Sequence, residues 1–194
     1  MKVLEGELAG VLLLEPQPVR DERGWFSRTF DADDVRAAGL DPAAFVQDSQ
    51  SRSRRGVVRG LHARRDGGEG KLVRCSAGRV WDVALDLRPW SPTFLRHQEL
   101  LLDDESLVSV YLPAGLAHGF QALTPVADVC YRIDRRYEPG HDVTVRWDDP
   151  DVALRWPLPA SSISERDAAA PPLAQVLPLL AEWFPEPVVV RTAS

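Results

Sequence analysis

Between Val57 and Tyr137 the chain is a succession of short apolar runs, each closed by glycine, proline or acidic residues, with no helical stretch between them. The runs are Val57–His62, Lys71–Cys75, Arg79–Leu87, Phe94–Leu101, Leu107–Leu112, Phe120–Leu123 and Val126–Tyr137. A βαβ sheet would need helix-length segments between its strands. Short strands that follow one another directly must pair antiparallel and close on themselves, which predicts a sandwich or barrel. The period is cleanest in Val80–Leu87. There Trp81, Val83, Leu85 and Leu87 face one way, and Val80, Asp82, Ala84 and Asp86 face the other. Aspartates on the second face suit either solvent or a polar cavity.

The flanks are consistent with that core. Val11–Pro16, Trp25–Phe30, Phe45–Gln47 and Val143–Trp147 read as further short strands, and the polar stretch DSQSRSRRG reads as a loop. Asp31–Gly39 carries an N-cap aspartate, acidic first-turn residues and a closing glycine, so a short helix is expected. Near the end, Leu173, Val176, Leu177, Leu180 and Phe184 recur at helical spacing, with Pro178 placed to bend or shorten the helix. The expectation is an all-β domain over residues 1–184, with peripheral short helices, a C-terminal helix and a loosely held tail at 185–194.

Composition narrows the function. A net charge of −6 speaks against a nucleic-acid footprint, and no apolar stretch is long enough to span a bilayer as a helix. The amino terminus lacks the form of a secretion signal. Cys75 and Cys130 lie far apart within apolar runs, unlike a disulfide framework. A cytoplasmic protein follows. The basic cluster from Arg52 to Lys71 suits a small anion such as a diphosphate, or equally a solvated loop.

The four histidines, His62, His97, His118 and His141, are not spaced to seat two metal ligands on one element. Nucleotide-binding glycine motifs and a Gly-x-Ser-x-Gly elbow are missing. What remains suits proton transfer. His62 ends a strand and titrates near neutrality. Lys71 is available to hold negative charge on an oxygen, and Tyr131 and Tyr137, six apart in one expected strand, point to one side. Each also has a bland reading, as a packed tyrosine or a structurally satisfied histidine.

In this order, DERGWF (21–26), FVQDSQSRS (45–53), GVVRGLH (56–62), GKLVRC (70–75), VWDVALDLR (80–88), YLPAGLAHGF (111–120), CYRIDRRYEPGH (130–141) and ISERDAAAPPL (163–173) resemble the dTDP-4-dehydrorhamnose 3,5-epimerase family of the cupin superfamily. The resemblance runs from about residue 8 to 180. It implies a jelly-roll barrel and a homodimer with exchanged N-terminal strand material. It also implies a dTDP-4-keto-6-deoxyhexose substrate with no metal or other cofactor.

By the same resemblance, His62 would be the general base, oriented by Asp167. Tyr131 would be the acid on the opposite face of the sugar, and Lys71 would stabilise the enolate oxygen. Arg23 and Arg59 would lie near the diphosphate. Phe26 and Gln47 would lie near the nucleotide, with His118, Tyr137 and Asp82 in the site region.

The chain departs from the family pattern at Ser49 and Gln50, where asparagine and histidine are usual. It departs again at Ala63 and Arg64, where an aromatic and glutamine are usual, and at Tyr111, which replaces tryptophan. These departures touch substrate positioning, where an enzyme inverting only C3 or only C5 would differ from a double epimerase. A sugar-nucleotide-binding cupin without catalysis is the third reading. The joint retention of His62, Asp167, Lys71 and Tyr131 argues against it, because binding alone needs neither base nor acid.

Overall fold

The alternation in Val80–Leu87 reflects a strand buried on both faces. In the computed structural model, which describes residues 1–187, Val80 and Ala84 enter a core shared by two facing sheets. Trp81, Val83, Leu85 and Leu87 enter a second core beneath the C-terminal helices.

One sheet has six strands. In spatial order they are β1 (Lys2–Glu5), β2 (Leu12–Glu15), β10 (Ser109–Leu112), β7 (Lys71–Ala77), β12 (Val126–Ile133) and β5 (Gln47–Arg54). The other has five: β13 (Asp142–Thr144), β6 (Val58–Arg64), β11 (Leu116–Ala122), β8 (Arg79–Asp86) and β9 (His97–Asp103). Neighbouring strands pair antiparallel, giving an antiparallel sandwich of the jelly-roll type with short peripheral helices. A separate hairpin, β3 (Val19–Asp21) with β4 (Gly24–Phe26), stands apart from both sheets.

The helix expected at Asp31–Gly39 forms as α1 (Ala32–Ala37), with the Asp31 carboxylate accepting from the Asp33 and Asp34 N–H groups. The C-terminal helix is broken. It comprises α3 (Leu173–Val176), a 3-10 turn at Leu177–Leu179 and α4 (Leu180–Trp183), because Pro178 cannot donate to an unbroken ladder. Ahead of it, Glu165–Ala168 forms the one-turn α2, capped by Ser164. The expected tail lies outside the described residues from position 188 onward.

Two expectations change. DSQSRSRRG is mostly strand, since β5 pairs with β12 along its whole length, from Val126 opposite Arg54 to Ile133 opposite Gln47. Its inward positions are Gln47, Ser49, Ser51 and Ser53, so the alternation is polar against charged and carries no apolar signal. Val126–Tyr137 is cut short at Ile133, which places Tyr137 in the following loop and removes the alternation expected to align it with Tyr131. Among the described residues, no helix is long and apolar enough to cross a membrane.

Candidate active site

Strand β6 brings His62 to the sandwich interior because Gly60, two residues earlier, lets β6 press against β11. Gly60 has φ +124°, and a Cβ there would sit 2.6 Å from the Gly119 Cα and 2.8 Å from the His118 carbonyl oxygen. The Gly60 N–H donates to Asp167 Oδ2 at 3.2 Å, and the other carboxylate oxygen, Oδ1, lies 2.7 Å from His62 Nε2. Asp167 is delivered by α2, whose Ser164 cap accepts from the Asp167 N–H at 3.1 Å. The imidazole is thereby held at one nitrogen while its side chain remains 31% exposed. Val58, Arg59, His62, Ser164, Arg166 and Asp167 border an open cleft of about 370 Å³.

Burial lowers the His62 pKa below its usual value near 6.5. The Asp167 bond and charge oppose that shift, while the cations of Arg166 and Lys71 reinforce it. Burial pushes the Asp167 carboxyl upward, but the His62 hydrogen bond and charge, the Gly60 N–H and Arg166 outweigh it, so Asp167 remains an anion at neutral pH. A neutral imidazole beside a fixed carboxylate can accept a proton and hold it.

His118 lies directly opposite His62 across the β6–β11 ladder, so the two rings share a face. Its Nε2 is 2.7 Å from Asp82 Oδ2, and both side chains are buried. Asp82 Oδ1 has no hydrogen-bond partner among the described residues. The His118 ring meets Tyr131 edge to face at 6.0 Å between centroids, linking the five-stranded sheet to the six-stranded one. Tyr131 is held by Ser51 Oγ at 3.1 Å from its hydroxyl, and burial raises its phenol pKa far above the ordinary value of 10. A phenol so placed stays protonated at neutral pH and can serve as a proton donor. Lys71, at the start of β7, is buried with its Nζ 3.1 Å from Glu69 Oε1.

The remaining candidates separate into two groups. Arg59 Nε donates to Ser53 Oγ at 3.0 Å. Gln47 Nε2 donates to Ser49 Oγ at 3.2 Å, and Gln47 Oε1 accepts from the Tyr137 N–H at 3.1 Å, so that loop is tied to β5 although the Tyr137 ring is exposed. Arg64, buried two residues beyond His62, donates to the Arg136 carbonyl at 2.8 Å and pairs with Glu138 in the same loop. Arg23 and Phe26 are not brought to the cleft within one chain. Both lie on the β3–β4 hairpin, with Phe26 65% exposed and Arg23 paired to Asp21.

Sequence reasoning does not single out Ser51, Ser53 or Glu69, whose side chains contact Tyr131, Arg59 and Lys71. The available signal was the every-other-residue spacing of uncharged polar residues in QDSQSRSR. Among the described residues, no group of three or more histidine, cysteine, aspartate or glutamate side chains is arranged to hold a metal ion.

Comparison with known proteins points in one direction. The model for the family described as dTDP-4-dehydrorhamnose 3,5-epimerase matches residues 5–175. The chain is 40% identical over 177 residues to the dTDP-4-dehydrorhamnose 3,5-epimerase of Methanothermobacter thermautotrophicus, covering 90% of this chain and 95% of that one. It superposes with a TM-score of 0.87 and 36% identity on the Legionella pneumophila dTDP-6-deoxy-D-glucose-3,5-epimerase in complex with dTDP-4-keto-L-rhamnose, covering 92% of this chain and 96% of that one. It also resembles ChmJ, a 3'-monoepimerase from Streptomyces bikiniensis in complex with dTDP-quinovose. The TM-score is 0.82 and identity 34%, over 89% of this chain and 88% of that one.

Proposed function

This chain belongs to the dTDP-4-dehydrorhamnose 3,5-epimerase family, and we propose that it inverts C3 and C5 of dTDP-4-dehydro-6-deoxy-D-glucose through His62 and Tyr131 acting on opposite faces of the sugar. The observation that carries the reading is an accessible, carboxylate-held imidazole on one sheet and a partly buried phenol on the other, with His118 opposite His62 in the ladder and edge to face with Tyr131.

The C4 ketone acidifies the hydrogens at C3 and C5. His62 Nε2 is committed to Asp167, so its other ring nitrogen takes the proton, and Asp167 stabilises the imidazolium that forms. The C–H electron pair becomes the enolate, whose oxygen is held by the Lys71 ammonium. Tyr131 then supplies a proton from the other face and the C–H bond re-forms inverted. Arg59 serves the diphosphate, and Gln47, His118, Asp82 and Tyr137 line the remainder of the site.

Arg23 and Phe26 belong to this scheme only if a second copy receives the β3–β4 hairpin. Its exposed Val19, Trp25 and Phe26 fit a homodimer with strand exchange. Residues 1–184 act as one catalytic domain in the cytoplasm.

Incubation with dTDP-4-keto-6-deoxyglucose in heavy water should place deuterium at C3 and C5 with inverted product. Inversion confined to C3 would instead favour the monoepimerase reading, supported by the likeness to ChmJ. Tyr131→Phe should lose inversion while retaining exchange on the His62 side. Full inversion by that variant would overturn the acid assignment.

A further inference from the structure

The inward row of β5 serves three functional candidates in turn. Ser49 Oγ accepts from Gln47, Ser51 Oγ bonds the Tyr131 hydroxyl, and Ser53 Oγ accepts from Arg59. These serines alternate with Asp48, Gln50, Arg52 and Arg54, which are exposed on the opposite face, so the strand geometry aims the hydroxyls inward. Among the described residues, the Ser51 hydroxyl is the sole hydrogen-bond partner of the Tyr131 hydroxyl. The pair is diagonal across the β5–β12 ladder, with Ser51 opposite Val129 and Tyr131 opposite Ser49.

We propose that Ser51 is a positioning residue for proton return. By donating its O–H to the phenol oxygen it leaves the Tyr131 proton free to face the sugar and, once that proton has gone, holds the phenolate through the same hydrogen bond. This rests on the reading of Tyr131 as the acid. In the step, the enolate carbon uses its C=C electron pair to form a new C–H bond with the phenol proton. The O–H pair remains on the phenolate oxygen, and the ketone is restored. The phenolate is reprotonated by solvent water before the next inversion.

The need for such a group follows from burial. Tyr131 is partly buried, so an anion formed on it loses part of its hydration, and a charge withdrawn from water without a partner is disfavoured. The surroundings lean the same way as the proposal. Burial is the largest influence raising the phenol pKa and Asp82 adds to it, while the Ser51 bond and the Arg59 charge lower it. Asp82 and Arg59 sit on β8 and β6 of the facing sheet, and Cys130 adjoins Tyr131 on its own strand. Ser51 is therefore the one of these groups that acts directly on the phenol oxygen. Hydrogen bonds to ionised partners are about twice as strong as neutral ones, so the Ser51 bond tightens as the phenolate forms and favours the transition state over the ground state.

The test is Ser51→Ala and Ser51→Thr with dTDP-4-keto-6-deoxyglucose in heavy water, following deuterium incorporation and net inversion separately. Ser51→Ala should lose inversion by about 10–100-fold, the scale of a hydrogen bond to a charged group, while exchange through His62 falls far less. The ratio of exchange to inversion therefore rises. Ser51→Thr, which keeps the hydroxyl, should restore the ratio toward that of the parent. A Ser51→Ala protein that loses exchange and inversion equally, or neither, would overturn the proposal. So would a Ser51→Thr protein with a ratio as high as the alanine variant, a comparison that holds even if the alanine variant folds poorly. If Tyr131→Phe inverts normally, the acid assignment itself fails. If Tyr131→Phe loses inversion but Ser51→Ala does not, only the role of Ser51 is lost.

Discussion

Two histidine–carboxylate pairs sit on adjoining strands with the same 2.7 Å spacing, and they are not equivalent. The His62 side chain is 31% exposed, and its carboxylate arrives from α2, outside the sheet. The His118 side chain is 5% exposed, and its carboxylate, Asp82, comes from the next strand of the same sheet. A short hydrogen bond to a carboxylate orients an imidazole in both cases. Only the first leaves the ring facing a cleft that a substrate can enter. Hydrogen-bond geometry alone does not identify a base, and access is what favours His62 for the proposed role.

The sharpest way to break this comparison is to remove each ring in turn. His62→Ala should reduce both exchange and inversion by about 10²–10⁴-fold, the usual contribution of a positioned general base. His118→Ala should leave deuterium exchange largely intact and act mainly on KM. If the larger loss of exchange followed His118, the assignment would be reversed.

Replacing the carboxylates gives a smaller contrast. Asp167→Asn removes the charge that stabilises the imidazolium and should lower kcat by about 10²-fold. Asp82→Asn keeps an acceptor for His118 and should cost no more than about 10-fold in kcat/KM, on the scale of one neutral hydrogen bond. Steady-state kinetics of the two variants, side by side, measure the difference.

The smallest effect is on pH dependence. As the proposed base His62 must be neutral, and burial lowers its pKa, so the acid limb of kcat/KM should fall below pH 6.5. Arg166 lies 3.7 Å from Asp167 Oδ1 and also lowers the imidazole pKa, so Arg166→Met should move that limb upward. The same shift bears on folding. A histidine whose folded pKa is depressed contributes stability above its unfolded value, near 6.5, and that contribution is lost as pH falls through the folded value. A limb that stays in place in Arg166→Met would show that this cation does not reach the base.

Legibility varied with the kind of signal. The β8 alternation was readable because both faces are buried and apolar residues dominate one of them. α1 was readable because its cap and its closing glycine are local. β5 was not, since a strand that turns serines toward polar side chains and charged or polar residues toward solvent has no apolar period. Tyr137 continues the sequence alternation of Tyr131, but strand pairing ends at Ile133. Arg64 belongs to a basic cluster whose sequence suits a small anion or a solvated loop alike, yet it is buried and tied to the loop of Arg136 and Glu138.

By itself the sequence determined an antiparallel β architecture and a set of residues whose chemistry suits proton transfer, because short-range periodicity and side-chain chemistry are properties of the chain. Only the tertiary structure decided which histidine faces a cleft, which serine holds the phenol and where Asp167 enters. Those depend on contacts between residues as much as 107 positions apart, such as the Gly60 N–H and the Asp167 carboxylate, which no local pattern records.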